Sequence, residues 1–118
     1  MHIKYNKSFI DGKFQSLGKL SFEVLNPANE EILSKVNDGG VLVTKKAIKS
    51  SEIAFKSWSK LTAKSRSLYL ENLNKLILDN KNELAKLITL ECGKPINESI
   101  GEVLYGACLL YTSDAADD

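Results

Sequence analysis

The sequence predicts an α+β fragment, with N-terminal strands over about residues 4–40 and a helical region over about 44–107. Three observations predict it. Turn-forming residues crowd the first forty positions, at Asp11-Gly12, Leu17-Gly18-Lys19, Asn26-Pro27 and Asp38-Gly39-Gly40, and leave only short runs between them. The apolar pattern then changes from alternation to spacings of three and four. Finally, Leu90-Glu91-Cys92-Gly93-Lys94-Pro95 carries a helix stop and a helix start within six residues.

Taken in order, Phe9-Ile10 and Lys13-Phe14 flank Asp11-Gly12, a pair that tolerates the positive backbone angles of a two-residue hairpin turn. Ser21 to Leu25 alternates, with Phe22 and Val24 on one face, and reads as a strand. Asn26-Pro27 ends it, because proline cannot donate to a ladder and restricts the residue before it. Glu31 to Val36 is a second strand of a small edge sheet, and Asp38-Gly39-Gly40 closes the β portion.

Ala47, Ile48, Ser51, Ala54, Phe55 and Trp58 form one face of a first helix, with Thr44 as its expected cap. Thr62 is the expected cap of a second, whose buried stripe is Tyr69 or Leu70, Leu73, Leu76 and Ile77. Asn80 and Glu83 have capping-box spacing and start a third helix, with Leu84, Leu87 and Ile88 inward. Gly93 ends that helix, and Pro95 opens a fourth at its first turn. Ile96, Ile100, Val103, Leu104 and Ala107 keep a helical face there. Gly101 and Gly106 each cost the fourth helix about 1 kcal/mol relative to alanine, which suggests close packing against another element, either within this chain or outside it.

A chain of 118 residues is expected to hold one domain at most. Hydrophobic residues make up 43% and charged residues 26%, which fits a globular chain rather than a disordered one. Sixteen basic residues against fifteen acidic ones give a net charge of +1 and no electrostatic case for nucleic acid or an anionic membrane as partner. No apolar run approaches the roughly 20 residues of a membrane helix. The polar and basic start, Met1 to Asn6, argues against a signal peptide. Two cysteines are too few for a disulfide framework and fit a reducing compartment, so the expected location is cytoplasmic. The last stretch, Tyr111 to Asp118, is small, polar and acidic. Residues 108–118 are expected to be an unmatched, artefactual tail, the conceptual translation of adapter DNA fused to a truncated frame.

Six pieces in order resemble the N-terminal part of an aldehyde dehydrogenase. They are Phe9-Ile10-Asp11-Gly12-Lys13-Phe14, Phe22-Glu23-Val24-Leu25-Asn26-Pro27-Ala28, Ala54-Phe55-Lys56-Ser57-Trp58, Leu61-Thr62-Ala63-Lys64-Ser65-Arg66-Ser67, Thr89-Leu90-Glu91-Cys92-Gly93-Lys94-Pro95 and Gly101-Glu102-Val103-Leu104-Tyr105-Gly106-Ala107. The fourth and sixth are most similar to the succinate-semialdehyde dehydrogenase branch. The resemblance implies an α/β enzyme with a Rossmann-like cofactor domain, a homo-oligomer when intact. It would use NAD or NADP to oxidise a small-molecule aldehyde, here succinic semialdehyde, to the carboxylic acid. A cysteine thiolate would attack the aldehyde, hydride would pass to the nicotinamide, and a glutamate would help water hydrolyse the thioester.

The resemblance places the glycine motif of the cofactor site, the base glutamate and the nucleophilic cysteine later in the chain. No catalytic, cofactor-binding or metal residue is therefore assigned here, and this fragment alone is expected to be inactive and to bind no cofactor. Cys92 falls in the Glu-x-Gly-Lys-Pro piece rather than at the nucleophile's position, and His2 is far from it in sequence. Lys94 follows no glycine-rich loop and reads as a cation at a helix C-terminus rather than a phosphate clamp. Some family members hold a monovalent cation with an acidic residue at the position of Glu91 and backbone oxygens from the strand before Asn-Pro, here Val24 and Leu25; no metal ligand is assigned from that. The alternative to a truncated enzyme is a free-standing, non-catalytic helical interaction module of the same ancestry.

Overall fold

The structure, a computed structural model, describes residues 7–17 and 20–115. The expected turn at Leu17-Gly18-Lys19 falls mostly outside them, as does His2. The chain divides into two compact units, Met1–Ser59 and Lys60–Asp118.

Among the described residues the first unit holds four strands and one helix. β1 (Ser8–Ile10) pairs antiparallel with β2 (Lys13–Gln15), with Phe9 opposite Phe14. The turn between them has Asp11 at φ 54° and Gly12 at φ 70°, the two positive angles that the Asp-Gly pair predicted. The Phe9 and Phe14 rings pack at 4.9 Å between centroids. β3 (Leu20–Leu25) pairs antiparallel with β4 (Ile32–Asp38). Their connection is fixed by Asn26, whose side-chain oxygen accepts from Ala28 N at 3.0 Å while its carbonyl accepts from Glu30 N at 2.8 Å. A register shift at Val24/Leu25 accompanies this turn. The single edge sheet of the sequence reading is thus two separate two-stranded ladders. Asn37 ties the start of β3 down, accepting from Leu17 N and donating to Leu20 O.

α1 spans Gly40–Trp58 and so begins a full turn before Thr44. Thr44 is not its cap. Its hydroxyl sits inside the helix and donates to Gly40 O at 3.0 Å, because Asp38 already accepts from Gly40 N and lets the helix start there. No residue of α1 is buried, and Ile48 and Phe55 of the predicted inward face are largely exposed.

The second unit is helical. α2 (Ala63–Asp79) begins at Thr62, whose hydroxyl oxygen accepts from Ser65 N at 3.1 Å as the sequence predicted. Asn80 both ends α2 and precedes α3 (Lys81–Cys92), but it makes no capping box. With so short a joint its amide turns back and donates to Leu76 O at 2.8 Å, closing α2 instead. Gly93 closes α3 in the left-handed region at φ 72°, and its N–H reaches Thr89 O at 2.9 Å. α4 (Ile96–Ala115) starts one residue after Pro95, whose carbonyl accepts from Glu98 N and Ser99 N. Its helical backbone continues past Ala107 to Ala115.

α4 packs along both α2 and α3. The seam on α4 is Ser99, Val103 and Ala107, all buried, rather than the Ile96 and Leu104 side, which is exposed. On α3 the buried residue is Ala85, with Leu87 and Ile88 half-buried. Ala85, Ser99 and Ala107 are small side chains at this contact, which leaves room for the two helices to approach. On α2 the half-buried side runs through Leu70, Asn74 and Ile77, while Tyr69, Leu73 and Leu76 face outward.

Candidate functional site

The joint between α3 and α4 is held by several tertiary and capping interactions. The left-handed Gly93 reverses the chain, and Pro95 restricts the residue before it to extended geometry. Across the joint the Thr89 and Ser99 hydroxyls meet at 2.9 Å, with Ser99 fully buried. Lys94 reaches back over the joint and donates to the Glu102 carboxylate on the second turn of α4. That hydrogen bond holds the Lys94 ammonium above its ordinary value of 10.5, with the charges of Glu102, Glu98 and Cys92 adding to it and desolvation opposing it. The lysine is thereby committed to a structural partner. The sequence pattern offered a helix-dipole role for it and missed Glu102, because a separation of eight residues across a turn matches no helical spacing.

Cys92 ends α3 exposed, and Cys108 is likewise exposed on α4. No histidine is among the described residues, so neither thiol is shown beside a base of that kind. Glu91 is exposed at the end of α3, and Val24 and Leu25 lie at the β3 register shift. Among the described residues no group of three or more histidine, cysteine, aspartate or glutamate side chains comes together as a metal site.

A shallow groove runs between the β1–β2 turn and α1, lined by Ile10, Asp11, Lys46, Ser50, Ile53 and Ala54. Lys46, its one cation, donates to Gln15 Oε1 at 3.2 Å. The groove is open, and Asp11, Lys46 and Ser50 are its polar lining residues.

A dinucleotide is held where a strand of a parallel sheet runs through a glycine-rich turn into a helix N-terminus. Among the described residues, β4 runs into α1 through Gly39 and Gly40, but β4 pairs antiparallel with β3. The Asp38 carboxylate already accepts the N–H of Gly40 at 3.0 Å. A carboxylate in that place repels a pyrophosphate, so these residues do not fit a nicotinamide dinucleotide.

Comparisons with known proteins bear on this framework. The model of the "Aldehyde dehydrogenase family" matches residues 14–117. The chain is 46% identical over 112 residues to "Succinate-semialdehyde dehydrogenase, mitochondrial" of Arabidopsis thaliana, covering 92% of this chain and 21% of that protein. It is 45% identical over 98 residues to "Succinate-semialdehyde dehydrogenase [NADP(+)] 2" of Schizosaccharomyces pombe, covering 82% of this chain and 20% of that protein. Among solved structures, betaine aldehyde dehydrogenase of Staphylococcus aureus in complex with NAD+ superposes with a TM-score of 0.89 at 28% identity, over 96% of this chain and 23% of that one. The chain therefore spans about a fifth of the length of the curated relatives it matches.

Proposed function

The chain belongs to the aldehyde dehydrogenase family, and from that premise we propose that it is the N-terminal part of an NAD(P)-dependent enzyme that oxidises succinic semialdehyde to the carboxylic acid. The observation that carries the substrate is the identity of 46% and 45% to two succinate-semialdehyde dehydrogenases over most of this chain. The part described here contributes framework. Its strands and helices carry no nucleophile and base pair among the described residues, and its strand-to-helix junction does not fit the cofactor. The fragment alone is inactive and binds no dinucleotide. The cofactor supplies the hydride acceptor in the complete enzyme, and no step involving it falls on a residue of this chain.

The complete protein is a homo-oligomer, and the family match runs on through residue 117, across most of the stretch expected to be unmatched. The free Cys92 supports a reducing compartment, which we read as the cytoplasm; the Arabidopsis relative, named as mitochondrial, supplies the contrasting case. No helix among the described residues is long and apolar enough to cross a membrane.

The test is to resequence the source DNA from the codon for Ala107 onward and to express the frame it gives. Reduced cofactor is then followed with succinic semialdehyde and with NAD and NADP in turn. Oxidation by the complete protein and none by the 118-residue chain supports the reading. A complete protein that turns over other aldehydes but not succinic semialdehyde overturns the substrate. A genuine stop after Asp118 overturns the enzyme reading and leaves the non-catalytic interaction module.

A further inference from the structure

The sequence holds two Asp-Gly steps, Asp11-Gly12 and Asp38-Gly39, and the fold places them in different surroundings. Both residues of the first are exposed at the tip of the β1–β2 hairpin. Asp11 is held at φ 54°, in the left-handed region that non-glycine residues seldom adopt, and Gly12 follows at φ 70°. Among the described residues neither the Asp11 carboxylate nor the Gly12 N–H has a hydrogen-bond partner. Lys46, the cation of the neighbouring groove, donates to Gln15 instead. A Cβ built on Gly12 meets nothing within 4 Å, so no packed neighbour stands over the turn. At the second step the Asp38 carboxylate is engaged, accepting from Gly40 N at 3.0 Å. Gly39 is crowded as well, since a Cβ there would lie 2.9 Å from Val43.

We propose that Asp11-Gly12 is a site of spontaneous backbone isomerisation, selected by the fold over Asp38-Gly39, and that conversion unlatches the hairpin from α1. The Gly12 nitrogen attacks the carboxyl carbon of Asp11 in its acid form. An N–C bond forms, the C–OH bond breaks, and the amide proton leaves with the hydroxyl as water. Water then adds back at either carbonyl of the five-membered imide. Opening at the former main-chain carbonyl breaks its bond to nitrogen, frees the α-carboxylate and leaves the chain running through the Asp11 side chain. Mass is unchanged, nothing is oxidised or reduced, and water is the only co-reactant. Glycine favours the attack because no side chain of its own crowds the nitrogen. The product carries one extra carbon in the main chain of a two-residue turn, and the length of that turn sets the pairing of Phe9 with Phe14 and of Ile10 with Lys13. Losing that register separates the rings now 4.9 Å apart and removes the hydrogen bond from Gln15 Nε2 to Ile10 O at 2.9 Å. Gln15 is also the acceptor for Lys46 of α1, and Ile10 is the buried hydrophobic residue of the hairpin, so the ties to α1 go with it. The freed α-carboxylate is the group that a methyltransferase specific for β-linked aspartate esterifies.

The test incubates the 118-residue chain at neutral pH in native buffer and in urea, with trypsin digestion at intervals. Asp11 and Asp38 are then read in separate peptides, Ser8–Lys13 and Val36–Lys45. The β-linked product is measured as a mass-neutral, chromatographically separate form that accepts a methyl group from S-adenosylmethionine and that methyltransferase. The native rate divided by the urea rate is expected to be about tenfold or more higher for Asp11 than for Asp38, whose hydrogen bond to Gly40 must break first. A quotient equal for the two, or higher for Asp38, overturns the proposal. So does an Asp11 that stays unconverted in native buffer over the time in which the urea sample converts. Hydrogen exchange on the converted fraction should show protection lost at Ser8–Ile10 and Lys13–Gln15, with α3 and α4 unchanged. Hairpin amides that stay protected there overturn the unlatching.

Discussion

Heating the isolated chain should produce a broad transition rather than a sharp one. An unfolded chain of 13.1 kDa exposes about 19,000 Å2, and the folded chain exposes 9135 Å2, so folding buries only about half of the surface. Even a 60-residue domain ordinarily buries about 60%. The deficit is visible residue by residue. Among the described residues the buried hydrophobics are Ile10, Ala85, Val103 and Ala107, whereas Leu20, Phe22, Leu42 and Phe55 are more than half exposed. A cooperative domain of this length would unfold with an enthalpy of about 80 kcal/mol near 60 °C, and each unit melting alone would give about 40 kcal/mol. The assay is differential scanning calorimetry with far-ultraviolet circular dichroism and binding of a hydrophobic dye. The expected result is a van't Hoff enthalpy at or below about 40 kcal/mol, with dye bound before the melt. A single transition whose calorimetric and van't Hoff enthalpies agree near about 80 kcal/mol would refute the reasoning and favour an autonomous module.

Three further outcomes follow from particular side chains. Gly106→Ala should stabilise α4 of the isolated chain by about 1 kcal/mol, since the added methyl meets nothing within 4 Å; chemical denaturation followed by circular dichroism reads the shift. Ser99→Ala should cost about 1–2 kcal/mol by leaving the Thr89 hydroxyl without its partner, and Thr89→Val added to it should recover part of that loss, a non-additivity that a double-mutant cycle measures. The hydrogen bond to Glu102 raises the Lys94 ammonium above 10.5, so its contribution is fully present at neutral pH and is lost as pH rises through the folded value. Stability of the wild type and of Lys94→Met should therefore differ at neutral pH and converge as pH rises through the raised folded value, read as denaturation midpoints against pH.

Local chemistry made the element ends legible from sequence. Asp11-Gly12, Thr62 and Gly93 each serve a backbone that few other residues suit, and each stands where the pattern put it. Thr44 and Asn80 misled because hydroxyl and amide side chains bond equally well to a carbonyl four residues back; both do so here. Nothing in the residue types separates a cap from such a bond. Only the start of the helix decides, and at α1 that start was set by Asp38. The α3–α4 joint was legible as a stop and a start, but its tie between Lys94 and Glu102 was not, because it depends on how far the chain turns back at Gly93.

The second helix shows why periodicity gives a helix without giving its face. α2 carries apolar residues on two overlapping sides, one through Leu70 and Ile77 and one through Tyr69, Leu73 and Leu76. A period of 3.6 is satisfied by both. What separates them is a polar residue between the inward pair. Asn74 donates from Nδ2 to Ala107 O at 2.6 Å, and a half-buried amide must keep such a partner, so the rotation of α2 is pinned with Leu70 and Ile77 toward α4. Leu73 and Leu76 are then turned outward, 45% and 59% exposed. An apolar stripe on the outer side of a helix whose inner side is already satisfied is not needed by the helix itself. The sequence conceals this because inward and outward leucines look alike until a neighbour chooses between them.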